Sequence, residues 1–87
     1  MMDRWATLAY LDEMDMKDMT QKQRILKYLR DFGSITPLEA LRDLGIMRLG
    51  ARIWELIRDG WPIFADTECA PNRYGQTTRY ARYRRAA

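Results

Sequence analysis

The sequence contains no histidine and only one cysteine, Cys69. A single cysteine cannot form an intramolecular disulfide, and a chain without histidine or paired cysteines lacks the ligands of the usual zinc sites. The same absence excludes the Ser–His and Cys–His pairs of nucleophilic catalysis. No glycine-rich phosphate loop and no motif-placed pair of carboxylates is present either. We therefore expect a protein that is not an enzyme and that uses no metal and no cofactor.

Long hydrophobic runs are also missing. No stretch of 18 apolar residues occurs, which predicts no membrane-spanning segment. The first residues are acidic, whereas a secretory signal would be basic and then apolar, so we expect a cytoplasmic protein. The 87 residues suffice for one small domain, and a hydrophobic fraction of 47% with three tryptophans favours a folded core over disorder.

Charge is unevenly distributed along the chain. Residues 1–19 contain two basic and five acidic side chains, whereas residues 20–87 contain thirteen basic and seven acidic ones. Residues 72–87 contain five arginines and no acid. A basic body with an arginine-dense end favours a polyanionic partner.

The acidic residues 1–19 are predicted to be an N-terminal extension of a domain that covers 20–87. Asp3 can cap a short helix over 4–14, in which Trp5, Leu8 and Leu11 have partial helical spacing. Three interpretations are open at this point. The segment is a frayed leader, or its apolar face packs on the domain or on a second copy, or its acids cover the basic surface.

Two capping boxes predict the first two helices. Thr20 with Gln23 begins a helix over about 20–32, and Thr36 with Glu39 begins a second one that ends at Gly45. The expected apolar stripes are Ile25, Leu26, Leu29 and Phe32 in the first helix and Leu38, Leu41 and Leu44 in the second.

A third helix is predicted over residues 47–59, ended by Gly60. Its expected buried stripe is Ile46, Leu49, Ile53, Leu56 and Ile57, and its opposite face is Met47, Arg48, Ala51, Glu55 and Arg58, with Arg52 and Trp54 on the flanks. A short capped helix, a tight turn and a longer helix with arginines near its start are typical of a helix-turn-helix.

The C-terminal residues predict a hairpin. Residues 63–67 have a strand-like alternation, 69–77 are rich in turn residues, and 78–84 can return antiparallel to the first strand. We expect a bulge near Ala81 or Arg82 that brings Tyr80 and Tyr83 to one face. The fold class is therefore α+β and mainly α: a three-helix winged helix-turn-helix with a two-stranded β-hairpin wing.

Residues 19–84 resemble the small helix-turn-helix proteins common in bacteriophages and prophages. The most specific pieces are SITPLEAL, MRLGARI, and NRYG with the aromatic and basic strand after it. In those proteins a small polar residue is usual where Trp54 stands, and alanine is usual at Gly50. The resemblance implies a compact winged-helix domain that binds DNA in a bacterial host cell.

The combined patterns predict a sequence-specific double-stranded DNA-binding protein, a phage or prophage transcriptional regulator. Helix 47–59 would enter the major groove, where Arg48 and Arg52 donate to guanine, and wing residues 69–78 would contact the backbone or the minor groove. Alternatively, Arg52 pairs with Glu55 or Asp59. The expected DNA-contacting residues are Thr36, Met47, Arg48, Ala51, Arg52, Glu55, Arg58, Arg73, Tyr74, Gln76 and Arg79.

Two further expectations concern partners. One helix reads only a few base pairs, so we expect a homodimer or paired binding on DNA, with residues 1–19 as the candidate contact. The alternative function is a winged-helix module that binds a host protein, such as a phage inhibitor of a host enzyme or of a defence complex. Trp5, Trp54 and the acidic extension favour this alternative.

Overall fold

The computed structural model describes residues 3–86 and has a helix-turn-helix followed by a hairpin. The elements in chain order are a 3-10 helix (Arg4–Glu13), a 3-10 turn (Met16–Asp18), α1 (Gln21–Phe32), β1 (Ser34–Ile35), α2 (Pro37–Leu44), α3 (Leu49–Arg58), β2 (Ile63–Pro71) and β3 (Thr77–Arg85). The capping boxes predicted at Thr20 and Thr36 are both present. Within this part of the chain, no helix is long and apolar enough to span a bilayer.

The sheet has three antiparallel strands in the order β1-β3-β2, so the prediction of two strands is wrong in number. Ser34 lies opposite Arg84, and Ile35 lies opposite Tyr83. A two-residue strand is too short to show alternation in a sequence, which is why it was missed. This pairing fixes the wing against the helices, because β1 leads directly into α2.

The predicted bulge is absent. The β2–β3 ladder is regular from the pair of Ile63 and Arg85 to the pair of Pro71 and Thr77. Tyr80 and Tyr83 therefore lie on opposite faces of the wing. Tyr83 packs against the core, whereas the Tyr80 hydroxyl donates to Glu68 at 2.9 Å, so both tyrosines have partners without a bulge.

The N-terminal 3-10 helix contributes to the same core as the three α-helices. Its Trp5, Leu8 and Leu11 are buried at intervals of three residues, which is the period of a 3-10 helix. Runs of this type rarely exceed four residues. Here the apolar face packs on the protein's own domain over ten residues, and the Asp12 carboxylate pairs with Lys27 and Arg30 of α1.

Four residues that were assigned to the buried stripes are exposed, so these assignments are wrong. They are Phe32, Leu38, Leu41 and Ile57. In α2, Leu44 is buried as predicted, and the other buried side chain is Ala40. The buried cap at Thr36 and the small Ala40 bring that edge of the helix against the core, which turns the two leucines outward. Phe32 is the last residue of α1 and packs on the ring of Tyr28.

Candidate nucleic-acid interface

Helix α3 has one buried edge and one protruding face. Leu49, Ile53 and Leu56 are almost fully buried. At 3.6 residues per turn, the opposite direction is occupied by Ala51, Trp54 and Arg58, and the residues just before the helix continue this surface. We call Met47, Arg48, Ala51, Trp54 and Arg58 the outer face of α3.

The turn between α2 and α3 presents the start of the outer face. Gly45 ends α2 with a positive φ of 69°, and the Ile46 backbone N–H then donates to the carbonyl of Ala40 at 3.0 Å. Ile46 is buried, whereas Met47 is 83% exposed and Arg48 is exposed as the N-cap residue of α3. The helix therefore begins two residues later than predicted. Within residues 3–86, the Arg48 guanidinium has no ion-pair partner.

Arg52 is held by Glu55, as the alternative interpretation predicted. Arg52 Nε lies 2.8 Å from Glu55 Oε1, and the two atoms are shielded from solvent although their alignment is not that of a hydrogen bond. The Arg52 side chain is still 36% exposed. The ion pair therefore restrains Arg52 at its Nε, while part of the side chain is still open to solvent.

Trp54 lies on the outer face, not on a flank as predicted, and it is 61% exposed. The guanidinium carbon of Arg58 lies 4.6 Å from the centre of the indole ring. Arg58 thus stacks on Trp54 instead of pairing with Glu55. The spacing of Leu49, Ile53 and Leu56 was the signal that could have placed Trp54 opposite the core.

The tip of the wing is a tight turn organised by Asn72. Its side-chain oxygen accepts hydrogen bonds from the backbone N–H groups of Tyr74 at 2.9 Å and Gln76 at 3.0 Å, and Gly75 adopts a φ of +77°. Tyr74 is 87% exposed, and Arg73 is exposed beside it. The Gln76 side chain partly turns back, because its oxygen lies 3.4 Å from Asn72 Nδ2.

One face of the wing adjoins α3. Arg79 lies on the same face of β3 as Tyr83, since the two residues are four positions apart in a regular strand. The Tyr83 hydroxyl lies 3.5 Å from the position that a Cβ on Gly50 would occupy. This contact brings the start of α3 beside the wing, and Arg79 belongs to the side that faces α3.

The opposite face of the wing carries an ion-pair network. Arg82 bonds to Glu68, Glu39 and the Ser34 hydroxyl, while Arg84 Nε lies 2.6 Å from Asp66. The Arg82 guanidinium lowers the pKa of Glu68. The arginine-dense end of the chain is therefore not one basic patch. Within the described residues, three arginines of the wing strands and tip lack an acidic partner: Arg73, Arg79 and Arg85, of which Arg85 lies over the Trp5 ring at 5.9 Å.

Thr36 has a structural role. It is only 4% exposed, and its hydroxyl accepts from the backbone N–H of Glu39 at 3.2 Å. Because this hydroxyl is also buried, a phosphate cannot reach it. Among the acids of the extension, Asp12 pairs with Lys27 and Arg30 on α1, not with the arginines of α3.

Two depressions are present on the surface. A shallow one of about 270 Å³ is lined by Gln21, Gly45, Met47, Arg48 and Arg52. A larger one of about 470 Å³ lies between the N-terminal half of α2 and β3, with Leu38 and Tyr80 among its lining residues. Across residues 3–86, no three acidic or cysteine side chains converge in a way that could hold a metal ion.

Comparison with known proteins agrees with this architecture. Residues 20–85 match the model of the winged helix-turn-helix domain family. No match was found among curated proteins or among solved structures. The matched region covers about three quarters of the chain and contains the helix-turn-helix and the wing, so the chain belongs to the winged helix-turn-helix domain family.

Proposed function

We propose that this protein is a sequence-specific double-stranded DNA-binding protein that acts as a transcriptional regulator of the phage or prophage type. A winged helix-turn-helix domain suggests DNA binding. The observation that carries the finer proposal is the outer face of α3, where the Arg48 guanidinium is exposed and unpaired within residues 3–86 while the opposite edge of the helix is anchored in the core. The resemblance of residues 19–84 to phage and prophage proteins supports the biological setting.

In this proposal α3 lies in the major groove. Arg48 and the Nη groups of Arg52 donate to guanine O6 and N7, and Met47 and Ala51 make apolar contacts with the bases. Glu55 holds the stem of Arg52 at 2.8 Å, so less side-chain entropy is lost when the arginine binds.

The wing supplies the sequence-independent part of the binding. Arg73 and Tyr74 at its tip and Arg79 on the side facing α3 contact phosphates or the minor groove. The ion-paired face of the wing, with Arg82 and Arg84, points away from this surface. Residues 20–87 form the DNA-binding unit in this proposal, and residues 3–19 pack against it.

The test is a selection of bound duplexes from random DNA at two salt concentrations, followed by titration of the selected duplex. Arg48→Ala is expected to weaken binding to that duplex about tenfold to a hundredfold, because one bidentate arginine–guanine contact contributes about 1–3 kcal/mol. Arg52→Ala should also reduce discrimination between selected and unrelated DNA.

Lys27→Ala is the matched control, since it removes one positive charge under the N-terminal extension, away from α3. This variant should bind the selected duplex with almost unchanged affinity. The proposal fails if no sequence is enriched, or if the Arg48→Ala and Arg52→Ala variants discriminate as well as the original protein.

Paired binding is part of the proposal, because one helix reads only a few base pairs. Two copies would occupy repeated half-sites. The apolar face of Trp5, Leu8 and Leu11 is buried within its own chain, so a contact between copies would use other residues. Ultracentrifugation with and without the selected duplex tests this proposal, and a strict one-to-one complex on a site with two half-sites would refute it.

A second candidate function is a protein-binding module, such as an inhibitor of a host enzyme or of a defence complex. The exposure of Trp54 on the outer face favours it, because aromatic residues are enriched in the centres of protein interfaces. This candidate would replace the first if the protein shows no salt-sensitive affinity for DNA and binds a host protein in a stoichiometric complex that Trp54→Ala abolishes.

A further inference from the structure

Trp54 has the largest side chain on the outer face of α3, and it is not among the residues that the sequence predicts to contact DNA. Its indole is 61% exposed, and Arg58 stacks on the ring with its guanidinium carbon 4.6 Å from the centre. An isolated exposed leucine is ordinary, but a tryptophan at the centre of a protruding face presents a large apolar surface that a partner can cover.

The spacing between Arg48 and Trp54 along α3 corresponds to a distance of a few base pairs. It follows Arg48 by six residues, which corresponds to about 9 Å along a helix axis, or between two and three base steps. Ala51 is the outer-face residue between them, and its methyl group does not obstruct either long side chain. Arg48 and Trp54 can therefore reach different base pairs of one site.

The chemistry of the indole indicates which group of the DNA it can contact. Apart from one N–H donor, the ring offers only apolar surface, and the apolar feature of the major groove is the C5-methyl group of thymine. Arg58 occupies part of the ring and keeps a positive charge next to it, which favours a neighbouring phosphate. The stacked pair thus combines an apolar contact with a backbone contact.

We propose that Trp54 is a specificity-determining residue that reads thymine through contact of its indole with the C5-methyl group, between two and three base steps from the base read by Arg48. This inference rests on the proposed function and deepens it. It also gives a reason for a large aromatic side chain at this position of the helix.

The test replaces each thymine of the selected duplex, one at a time, with deoxyuridine, which removes only the methyl group. For the original protein, one replacement should weaken binding about three- to tenfold, as expected for losing the burial of one methyl group against an aromatic ring. Trp54→Ala should bind the thymine and deoxyuridine duplexes equally, and Trp54→Phe should keep part of the difference.

Phe32→Ala is the matched control, because Phe32 is an exposed aromatic residue at the end of α1, outside the outer face of α3. It should retain the full sensitivity to deoxyuridine. The inference is overturned if the original protein prefers its selected duplex but no replacement weakens binding, or if Trp54→Ala keeps the sensitivity. A failure of the proposed function would differ from both results, since no duplex would then be preferred.

Discussion

Trp5 of the N-terminal extension is predicted to be one of the most important residues for stability. It is only 1% exposed, and its ring centre lies 5.1 Å from that of Trp61. Its indole N–H donates to the carbonyl of Ala86 at 2.9 Å. The Trp5 side chain thus connects the N-terminal 3-10 helix with Trp61, which follows α3, and with Ala86, which follows β3. Trp5→Ala would remove both contacts at once.

The expected cost follows from the size of the buried group. Truncating a buried aromatic residue to alanine costs about 3–5 kcal/mol. A chain of 87 residues has a total stability of roughly 4–13 kcal/mol, so the change removes a large share of it. Trp5→Phe keeps an aromatic ring but loses the hydrogen bond to Ala86, and it should cost less.

The assay is urea unfolding followed by far-ultraviolet circular dichroism, which does not depend on tryptophan fluorescence. Trp5→Ala should lower the urea midpoint by about 2 M or more at an m-value near 1.5 kcal/mol/M, or leave the protein unfolded. Trp54→Ala is the matched control, because it deletes an exposed residue of the same type and should cost less than about 1 kcal/mol. Equal urea midpoints for Trp5→Ala and Trp54→Ala would refute the view that residues 3–19 stabilise the domain. If Trp5→Ala does not fold, the same comparison is made with Trp5→Phe.

Two further predictions concern the ionisation of Tyr28 and the turn at Gly45 between α2 and α3. Burial, together with the hydrogen bond to Asp43 and nearby negative charge, raises the pKa of Tyr28 to about 12. In an absorbance titration, Tyr28 should therefore be the last tyrosine to ionise. This late step should be missing in the Tyr28→Phe variant. The corresponding stability is present below pH 10 and is lost as the pH rises through about 12; a titration with no late tyrosine would contradict this assignment. Gly45→Ala should cost about 1 kcal/mol in urea unfolding, because Gly45 has a φ of 69° and alanine is strained there although no atom lies within 4 Å of the added Cβ. Gly45→Asn should cost less, and an alanine variant as stable as the original protein would show that the turn tolerates a side chain.

The parts of the fold that depend on local signals were predictable from the sequence. The capping boxes at Thr20 and Thr36 and the glycines at 33 and 45 mark the ends of α1 and α2 where the structure has them. These signals involve residues three or four positions apart, so no tertiary information is needed. The order of helix and helix-turn-helix followed from them, and the hairpin followed from the alternating residues 63–67 and the turn residues 69–77.

The errors concern features that only tertiary contacts determine. Ser34–Ile35 became a strand because β3 returns beside it, and two residues carry no periodic signal of their own. The orientation of α2 depends on the packing of Ala40, which the spacing of three leucines could not show. In the site, Arg52 has the same sequence pattern whether its guanidinium is free or paired with Glu55, so only the folded structure distinguishes the two cases.

The contact between Trp5 and Ala86 joins residues that are 81 positions apart. The strand that ends beside Ala86, β3, is also the middle strand of the sheet. During synthesis on the ribosome, the Trp5 indole therefore lacks its hydrogen-bond acceptor until Ala86 has been translated. Pairings this distant in sequence slow folding, and a nascent chain truncated before Thr77 would lack both the centre of its sheet and the hydrogen-bond acceptor of Trp5.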